Sequence, residues 1–389
     1  MAEHAYYNSK ILEWARVRLG FSLEEAAISL GLSSSARLEK AESYESPLTA
    51  RQLGIAAKKY LLPLPYFFLE KIPNIERKQT QNFRLNAAQD LAYTPEINRV
   101  LFWAQDIREQ ALDLSESGHI SLSKLPWQFK SDENIDFISE TIHTNLGFHS
   151  LNYTRVEHAF QWWKETIESL GVLVLETDHH QKFTLSGSAI HFDECPIIIL
   201  NGTEKYKRKK LFTLLHEFSH LVYGDSSLDE FQSQIKQNDS VEKACNDLAN
   251  QLLVPRKELE IQFNQNSGTL YEIVTKLSNT FSVSRFVITI ALRQAAIISF
   301  EDSSELYEQL EMEFASSFTA KLDKRRAKTN KGGGPPPYIR KSIKLSNTYS
   351  RAVLSAFWAG DIRQTEATRM LDNLHINHFE KLATRVFQN

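Results

Sequence analysis

The stretch LFTLLHEFSHLVYG, residues 211–224, carries the most specific motif of the chain and decides the fold around it. On an α-helix, residues i and i+4 lie on one face, so the side chains of His216 and His220 can reach one metal ion. Glu217 is placed to touch a water bound to that metal. Apolar residues surround the motif on nearly all sides, which predicts a buried helix ending at Gly224. Because buried imidazoles and carboxylates are costly to desolvate without a partner, the stretch predicts a metal site.

Two histidines do not complete a zinc site, so a third protein ligand is required. The stretch DSVEKACNDLANQLLVP, residues 239–255, has apolar residues at helical spacing and offers Glu242 one turn into the predicted helix. Two interpretations of Glu242 remain open: a metal ligand, or the second half of a capping box that begins at Asp239. Asn246, one turn further on, can hydrogen-bond a ligand. Other acidic candidates lie in a stretch predicted as a loop: Asp225, Asp229, Glu230 and Asp239.

These stretches resemble a known family, the ImmA/IrrE-type zinc metallopeptidases. The segment PIIILN at 196–201 resembles the strand before the family's active helix, and FTLLHEFSHLV at 212–222 resembles that helix. Residues 242–255 fit the family signature Glu-x-x-Ala-Asn-x-Phe-Ala-x-x-Leu-Leu-Met-Pro. The departures from it keep the apolar character of their positions: Cys245, Leu248 and Val254. The core of the resemblance covers residues 171–255.

The resemblance implies that Glu242 is the third ligand and that His216, His220 and Glu242 together hold Zn²⁺. It also implies a narrow substrate range, often one regulatory protein such as a repressor or an antitoxin-like partner. We therefore expect a zinc-dependent endopeptidase that acts in a stress, mobile-element or phage-defence context, with Glu217 as general base. The alternative is a non-catalytic transcriptional regulator that binds DNA or protein and has a structural zinc site. Glu217 favours the enzyme, because a structural site has no need of it.

Residues 8–70 are typical of a helix-turn-helix domain. Ser22 is a predicted helix N-cap, Gly31 turns the chain, and a second short helix follows. The segment resembles the domain that precedes the peptidase in longer ImmA/IrrE members, with Ala41 where the family usually has Trp. Residues 1–70 contain eight Lys and Arg against eight Asp and Glu. Because phosphate neutralisation supplies most non-specific DNA affinity, this balance leaves two interpretations open: a DNA reader, or a module for dimerisation or partner docking.

The strongest charge bias lies at residues 321–344, which contain nine Lys and Arg residues and one acidic residue, Asp323. Three glycines at 332–334 and three prolines at 335–337 predict that part of this run is irregular. The run fits a solvated linker, or an electrostatic arm for nucleic acid or an acidic protein. If the protein binds DNA, most of the non-specific affinity is expected from this run.

The composition predicts a soluble cytoplasmic protein. The 389 residues carry a net charge of −3, which implies no global affinity for nucleic acid or for a membrane. Cys195 and Cys245 are the only cysteines, and both lie in apolar runs, which disfavours a disulfide framework. The N-terminus has no apolar core of a signal peptide, and no apolar run is long enough to span a bilayer.

The segment GVLVLETD at 171–178 predicts a strand that forms a small sheet with residues 188–192 and 196–201, packed on the helix of 211–224. The predicted fold class is α+β and predominantly helical, and the resemblance implies a zincin-like peptidase core. The predicted domains are a helix-turn-helix domain at 1–75, a helical connector at 76–165, a zinc metallopeptidase core at 166–265, a helical domain at 266–330, and a Gly/Pro linker with a C-terminal helical extension at 331–389.

Overall fold

The computed structural model describes residues 5–73, 94–147, 155–178, 185–224, 239–326 and 335–387, with the backbone alone at 239 and 314–326. These residues form two compact units, one of residues up to 105 and one of residues from 106 onward. The chain is predominantly helical with one small sheet, as the sequence predicts. No helix in the described ranges is both long and apolar enough to cross a membrane.

The first unit begins with four short helices and a 3-10 helix: α1 Ser9–Arg18, α2 Leu23–Leu30, α3 Ser35–Glu42, α4 Ala50–Lys59 and the 3-10 helix Leu64–Phe68. Ser22 caps α2, as predicted, and forms a capping box with Glu25. The helix α2 ends at Gly31 and packs on α3. The apolar faces of the helices bury Leu12, Leu38 and other side chains in one core. The use of α2 and α3 as a DNA-reading motif stays a prediction.

The sheet of the second unit has three strands, β1 Leu173–Glu176, β2 Gly187–Ile190 and β3 Ile197–Leu200. Their order is β1-β3-β2, with β1 parallel and β2 antiparallel to β3. Leu173 pairs with Ile197, and Gly187 pairs with Leu200. Every residue of β1 and β3 is buried, and seven of the eight are aliphatic, as expected of strands covered on both faces; the exception is Glu176 at the end of β1. The predicted small sheet is confirmed.

Five described helices flank this sheet in the sequence. They are α5 Pro95–Glu116, which contains the boundary between the units, α6 Ile135–Asn145, α7 Val156–Ser169, α8 Lys207–Val222 and α9 Asp239–Leu253. The helix α8 packs on β2, β3, α7 and α9. Phe218 of α8 shares one buried cluster with Ile142 of α6 and Trp163 of α7. Part of the predicted connector therefore belongs to the core that supports α8, whereas the domain boundaries themselves stay predictions.

Eight further helices follow α9. Four are α10 Arg256–Gln265, α11 Leu270–Thr280, α12 Arg285–Gln294 and α13 Phe300–Arg326. The others are α14 Pro337–Lys344, α15 Asn347–Ala359, α16 Gln364–Met370 and α17 Phe379–Phe387, with a 3-10 helix at Ile376–His378. The helices α10 to α12 extend the core cluster around α8 and α9.

The last helices attach to the core of the second unit through buried charges. The carboxylate of Glu168, on α7, accepts hydrogen bonds from the backbone N–H groups of Asn347 at 3.0 Å and Thr348 at 3.3 Å. These groups belong to the first turn of α15, where the helix dipole favours a negative charge. At the end of β1, the ammonium of Lys344 lies 3.1 Å from a carboxylate oxygen of Asp178. The C-terminal helices are therefore integral to the second unit.

Candidate metal centre

The helix α8 places both histidines of the motif on one face. His220 is completely buried, and His216 has a side chain that is 16% exposed. Their Nε2 atoms lie 3.3 Å apart. The four-residue spacing accounts for this approach, because residues one turn apart lie one above the other on the same face of a helix.

The helix α9 brings Glu242 to the same point. One carboxylate oxygen lies 3.4 Å from Nε2 of His216, and the other lies 3.4 Å from Nε2 of His220. A tetrahedral zinc ion with bonds of about 2.0–2.1 Å separates its ligand atoms by about 3.3–3.4 Å. The separation of the two Nε2 atoms therefore fits a single tetrahedral ion, and the carboxylate of Glu242 directs one oxygen toward each ring beside it. Among the described residues, these three side chains are the one group of His, Cys, Asp and Glu that can hold a metal.

The geometry bears on the two interpretations of Glu242. Both carboxylate oxygens face imidazole nitrogens, which favours the ligand over the capping box. The side chain of Asp239, the other half of that box, lies outside the description, as do the acidic alternatives Asp225, Asp229 and Glu230.

Two neighbours hold the ring of His216. Asn246, one turn after Glu242, lies beside the imidazole. The ring of Phe212 stacks against it at 6.2 Å between centroids and an angle of 27°. Burial, followed by the nearby His220, lowers the pKa of His216. The neutral form, which is the form that binds a metal, is thereby favoured.

Glu217 lies outside the group of three converging side chains and is 5% exposed. Its carboxylate lies against β2 at Gly187, where a Cβ would be 2.8 Å from Oε1 and 2.9 Å from Cγ of Glu217. The same Cβ would be 2.7 Å from the methyl group of Thr213. Only glycine therefore leaves room for this placement of the carboxylate. Gly187 does not stand out in the sequence, although a glycine inside a strand often marks a close approach of another group to the backbone.

Gly224 ends the motif helix, as predicted. Its φ of +70° is the left-handed conformation that glycine adopts without strain and that commonly follows a helix. The amide of Gln128 approaches so closely that a Cβ at this position would lie 2.3 Å from its nitrogen. Just before this glycine, the carbonyl of Val222 accepts a hydrogen bond of 3.0 Å from the backbone N–H of Phe129. The segment before α6 thus fixes the end of α8.

In both candidate surfaces for nucleic acid, some of the cations have partners within the protein. On α3, the guanidinium of Arg37 donates to the backbone carbonyls of Ser46 and Pro47. In the basic run, the ammonium groups of Lys341 and Lys344 form ion pairs with the carboxylate of Asp372. The side chains of residues 321–334 lie outside the description, so their role as a linker or an electrostatic arm stays a prediction.

Comparison with known proteins supports the chemistry of this centre. Residues 167–293 match the family model described as Peptidase_M78, IrrE N-terminal-like domain. The matched segment contains the three strands, α8 and α9, and therefore all four residues of the candidate site. No curated protein matches the chain. The match supports a peptidase function of the metallopeptidase type, in agreement with the expected family.

Proposed function

We propose that this protein is a zinc-dependent endopeptidase that cleaves a specific regulatory protein. The observation that carries the proposal is the convergence of His216, His220 and Glu242: the two Nε2 atoms lie 3.3 Å apart, and each lies 3.4 Å from one oxygen of the Glu242 carboxylate. Zn²⁺ suits this donor set of two imidazoles and one carboxylate, and three protein ligands leave a fourth position for water or substrate. The match of residues 167–293 to the Peptidase_M78 family supports the same reaction class.

The residues of the site have two roles, metal binding and proton transfer. His216, His220 and Glu242 hold the ion, which when bound supplies an acidified water and polarises the peptide carbonyl. Glu217 takes a proton from the attacking water and delivers it to the leaving amine. Gly187 leaves the space that the carboxylate of Glu217 occupies. Asn246 and Phe212 fix the orientation of the His216 ring.

The alternative, a regulator with a structural zinc site, fits these observations less well. Structural zinc sites are closed by four protein ligands, and the described residues bring together three. The carboxylate of Glu242 is 40% exposed, so a substrate can reach the site from solvent. Glu217 is a buried carboxylate beside the histidines that a structural site does not use.

A protein substrate is supported by the family match, since residues 167–293 match a peptidase family. The resemblance noted from the sequence favours one regulatory protein, such as a repressor or an antitoxin-like partner, over a broad range of substrates.

The test separates binding from chemistry. Glu217→Gln keeps the shape of the side chain and leaves the three proposed ligands in place, so the variant should retain zinc. Cleavage should fall by about 100-fold or more, because proton transfer by a general base contributes at least this factor. New protein N-termini in cells that express each form, quantified by mass spectrometry, measure cleavage even while the substrate is unidentified.

Glu204→Gln is the matched control, because Glu204 precedes α8 and pairs with the exposed Lys209. It should cleave like the wild type. Equal cleavage by Glu217→Gln and the wild type would reject the enzyme and favour the non-catalytic regulator.

A further inference from the structure

A polar cavity of about 190 Å³ lies between the first turn of α8 and the C-terminal helices, away from the two histidines. Four cationic side chains line it: Lys164, Lys207, Lys210 and Arg385. They come from three different helices, α7, α8 and α17. The carboxylates in the lining are Glu157 and Glu176. Cations from distant parts of the sequence thus converge on one cavity.

Two of the four cations are compensated inside the protein. The ammonium of Lys210 forms a buried ion pair with Glu176. The ammonium of Lys164 lies 3.9 Å from the carboxylate of Glu168 and donates long hydrogen bonds of 3.4–3.5 Å to backbone carbonyls of residues 343 and 345. The charges of both lysines are therefore balanced by carboxylates of the protein, although their ammonium groups still line the cavity.

The other two cations, Lys207 and Arg385, are exposed, and neither takes part in an ion pair among the described residues. The guanidinium of Arg385 donates through Nε to the hydroxyl of Ser342 at 2.7 Å. This bond fixes the group beside the cavity and leaves its other N–H donors available. A ligand that accepts from both residues would find one donor held by Ser342 and one exposed ammonium.

The start of α8 strengthens the same field. Lys207 is the first residue of this 16-residue helix, and the N-cap Tyr206 makes no side-chain capping bond. The unpaired N–H groups of a helix start carry partial positive charge and favour anions. The helix start alone would not define a site. Its coincidence with a cavity and with two cations that have no ion-pair partner among the described residues does.

We propose that this cavity binds a phosphate group, either free phosphate or the phosphate of a small metabolite. A volume near 190 Å³ exceeds that of several waters and holds a phosphate with part of a larger molecule. Phosphate carries close to two negative charges at neutral pH, which matches Lys207 and Arg385. Glu157, an exposed carboxylate in the lining, opposes binding and tunes its strength.

Phosphate binding would join the C-terminal helices to the helix of the metal centre. Arg385 lies on α17 and Lys207 lies on α8, two to three turns before His216. A ligand shared by the two cations therefore adds a contact between the end of the chain and α8. The site is independent of the proposed peptidase function, because none of its residues belongs to the metal centre.

The test measures binding of inorganic phosphate to the full chain by isothermal titration calorimetry in chloride buffer at constant ionic strength. Lys207→Gln and Arg385→Gln should each weaken binding by about 10-fold or more, since each loses a charge-assisted hydrogen bond. Glu157→Gln should strengthen binding, because a repelling charge is removed. Lys209→Gln, on the same helix but outside the cavity, should bind like the wild type.

Adenosine monophosphate serves as the second probe and distinguishes the two sources of the phosphate group. Tighter binding than inorganic phosphate identifies a phosphorylated metabolite, and equal or weaker binding identifies free phosphate. Absence of phosphate binding by the wild type would overturn the proposal. Unchanged affinity in both Lys207→Gln and Glu157→Gln would overturn it as well, and neither exposed substitution should affect folding. Zinc content and cleavage play no part in these measurements, so their outcome is separate from that of the proposed function.

Discussion

The helix α8 carries two groups of ionisable side chains that are arranged in opposite ways. Near its start, the ammonium of Lys210 meets the carboxylate of Glu176 one to one, and both side chains are at least 93% buried. Near its end, His216 and His220 approach within 3.3 Å and share the single carboxylate of Glu242. The first group is complete within the chain. The second group places two imidazoles side by side, and its nitrogen and oxygen atoms are directed at one common point.

This difference separates a scaffold contact from a binding site. A buried ion pair is matched by its own partner, and its loss leaves an uncompensated charge that destabilises the fold. Converging ligand atoms are costly in the empty protein, and their benefit comes when an ion binds. The predictions below test this distinction, because the two ends of α8 should respond differently to substitution.

Glu176→Ala should cause the largest loss of stability. The substitution leaves the ammonium of Lys210 buried without its carboxylate, which costs about 3–5 kcal/mol in the free energy of unfolding. Glu204→Ala is the control, because its partner Lys209 is 56% exposed, and that substitution should cost about 1 kcal/mol or less. Urea denaturation of the zinc-free proteins measures both. Equal losses in the two variants would remove the scaffold half of the comparison.

His220→Leu should behave in the opposite way. In zinc-free protein the variant should be as stable as the wild type or more stable, since it removes a buried polar group from a crowded cluster. Zinc at about 1,000 times its dissociation constant should stabilise the wild type by about 4 kcal/mol, and most of this gain should be absent from the variant. Thermal unfolding in EDTA and in excess zinc shows both effects. A loss of stability in EDTA comparable to that of Glu176→Ala would make His220 a scaffold residue.

Asn246→Ala should weaken zinc binding without removing it. The side chain lies beside the ring of His216, and loss of a group that orients a metal-bound imidazole typically lowers metal affinity about 10–100-fold. Competition with a chromogenic chelator gives the affinity. Lys243→Ala, an exposed position on the same helix, should leave it unchanged. An unaltered affinity in Asn246→Ala would show that stacking on Phe212 is sufficient to hold the ring.

Gly187→Ala should impair cleavage with the smallest effect of the series. The added methyl group meets the carboxylate of Glu217 at 2.8 Å, so this side chain must shift while the zinc ligands stay in place. We expect about a 10-fold loss of cleavage, within the contribution of a general base, and full zinc content. Gly54→Ala is the control, because a Cβ there meets nothing within 4 Å. Wild-type cleavage by Gly187→Ala would mean that β2 does not constrain the base.

The sequence predicted the parts of the site that depend on helical periodicity. The spacing of His216 and His220 places them on one face of a helix at any position in a fold. Glu242 needed the family resemblance as well, because the residues alone left a capping box open. The aliphatic runs at 171–178 and 196–201 predicted strands by composition, and the structure pairs them in one sheet.

Contacts between residues that are distant in the sequence produce no local sequence pattern, so they could not be predicted. The pair of Lys210 and Glu176 joins residues 34 positions apart, and neither residue is unusual in its own segment. The same holds for Arg385, which reaches the cavity beside α8 from the last helix. Gly187 is one glycine in a short strand, and its role depends on α8 crossing β2 at that residue. The contribution of α6 and α7 to the central core likewise arises from packing.

The central claim is that His216, His220 and Glu242 hold one zinc ion, and elemental analysis of purified full-length variants tests it most directly. We expect one zinc per chain in the wild type and in Glu217→Gln, and loss of zinc in His216→Ala, His220→Ala and Glu242→Ala. Full zinc in Glu242→Ala alone would move the third ligand to Asp225 or Asp229. Full zinc in His216→Ala and His220→Ala would contradict the account, because it would place the metal elsewhere in the chain.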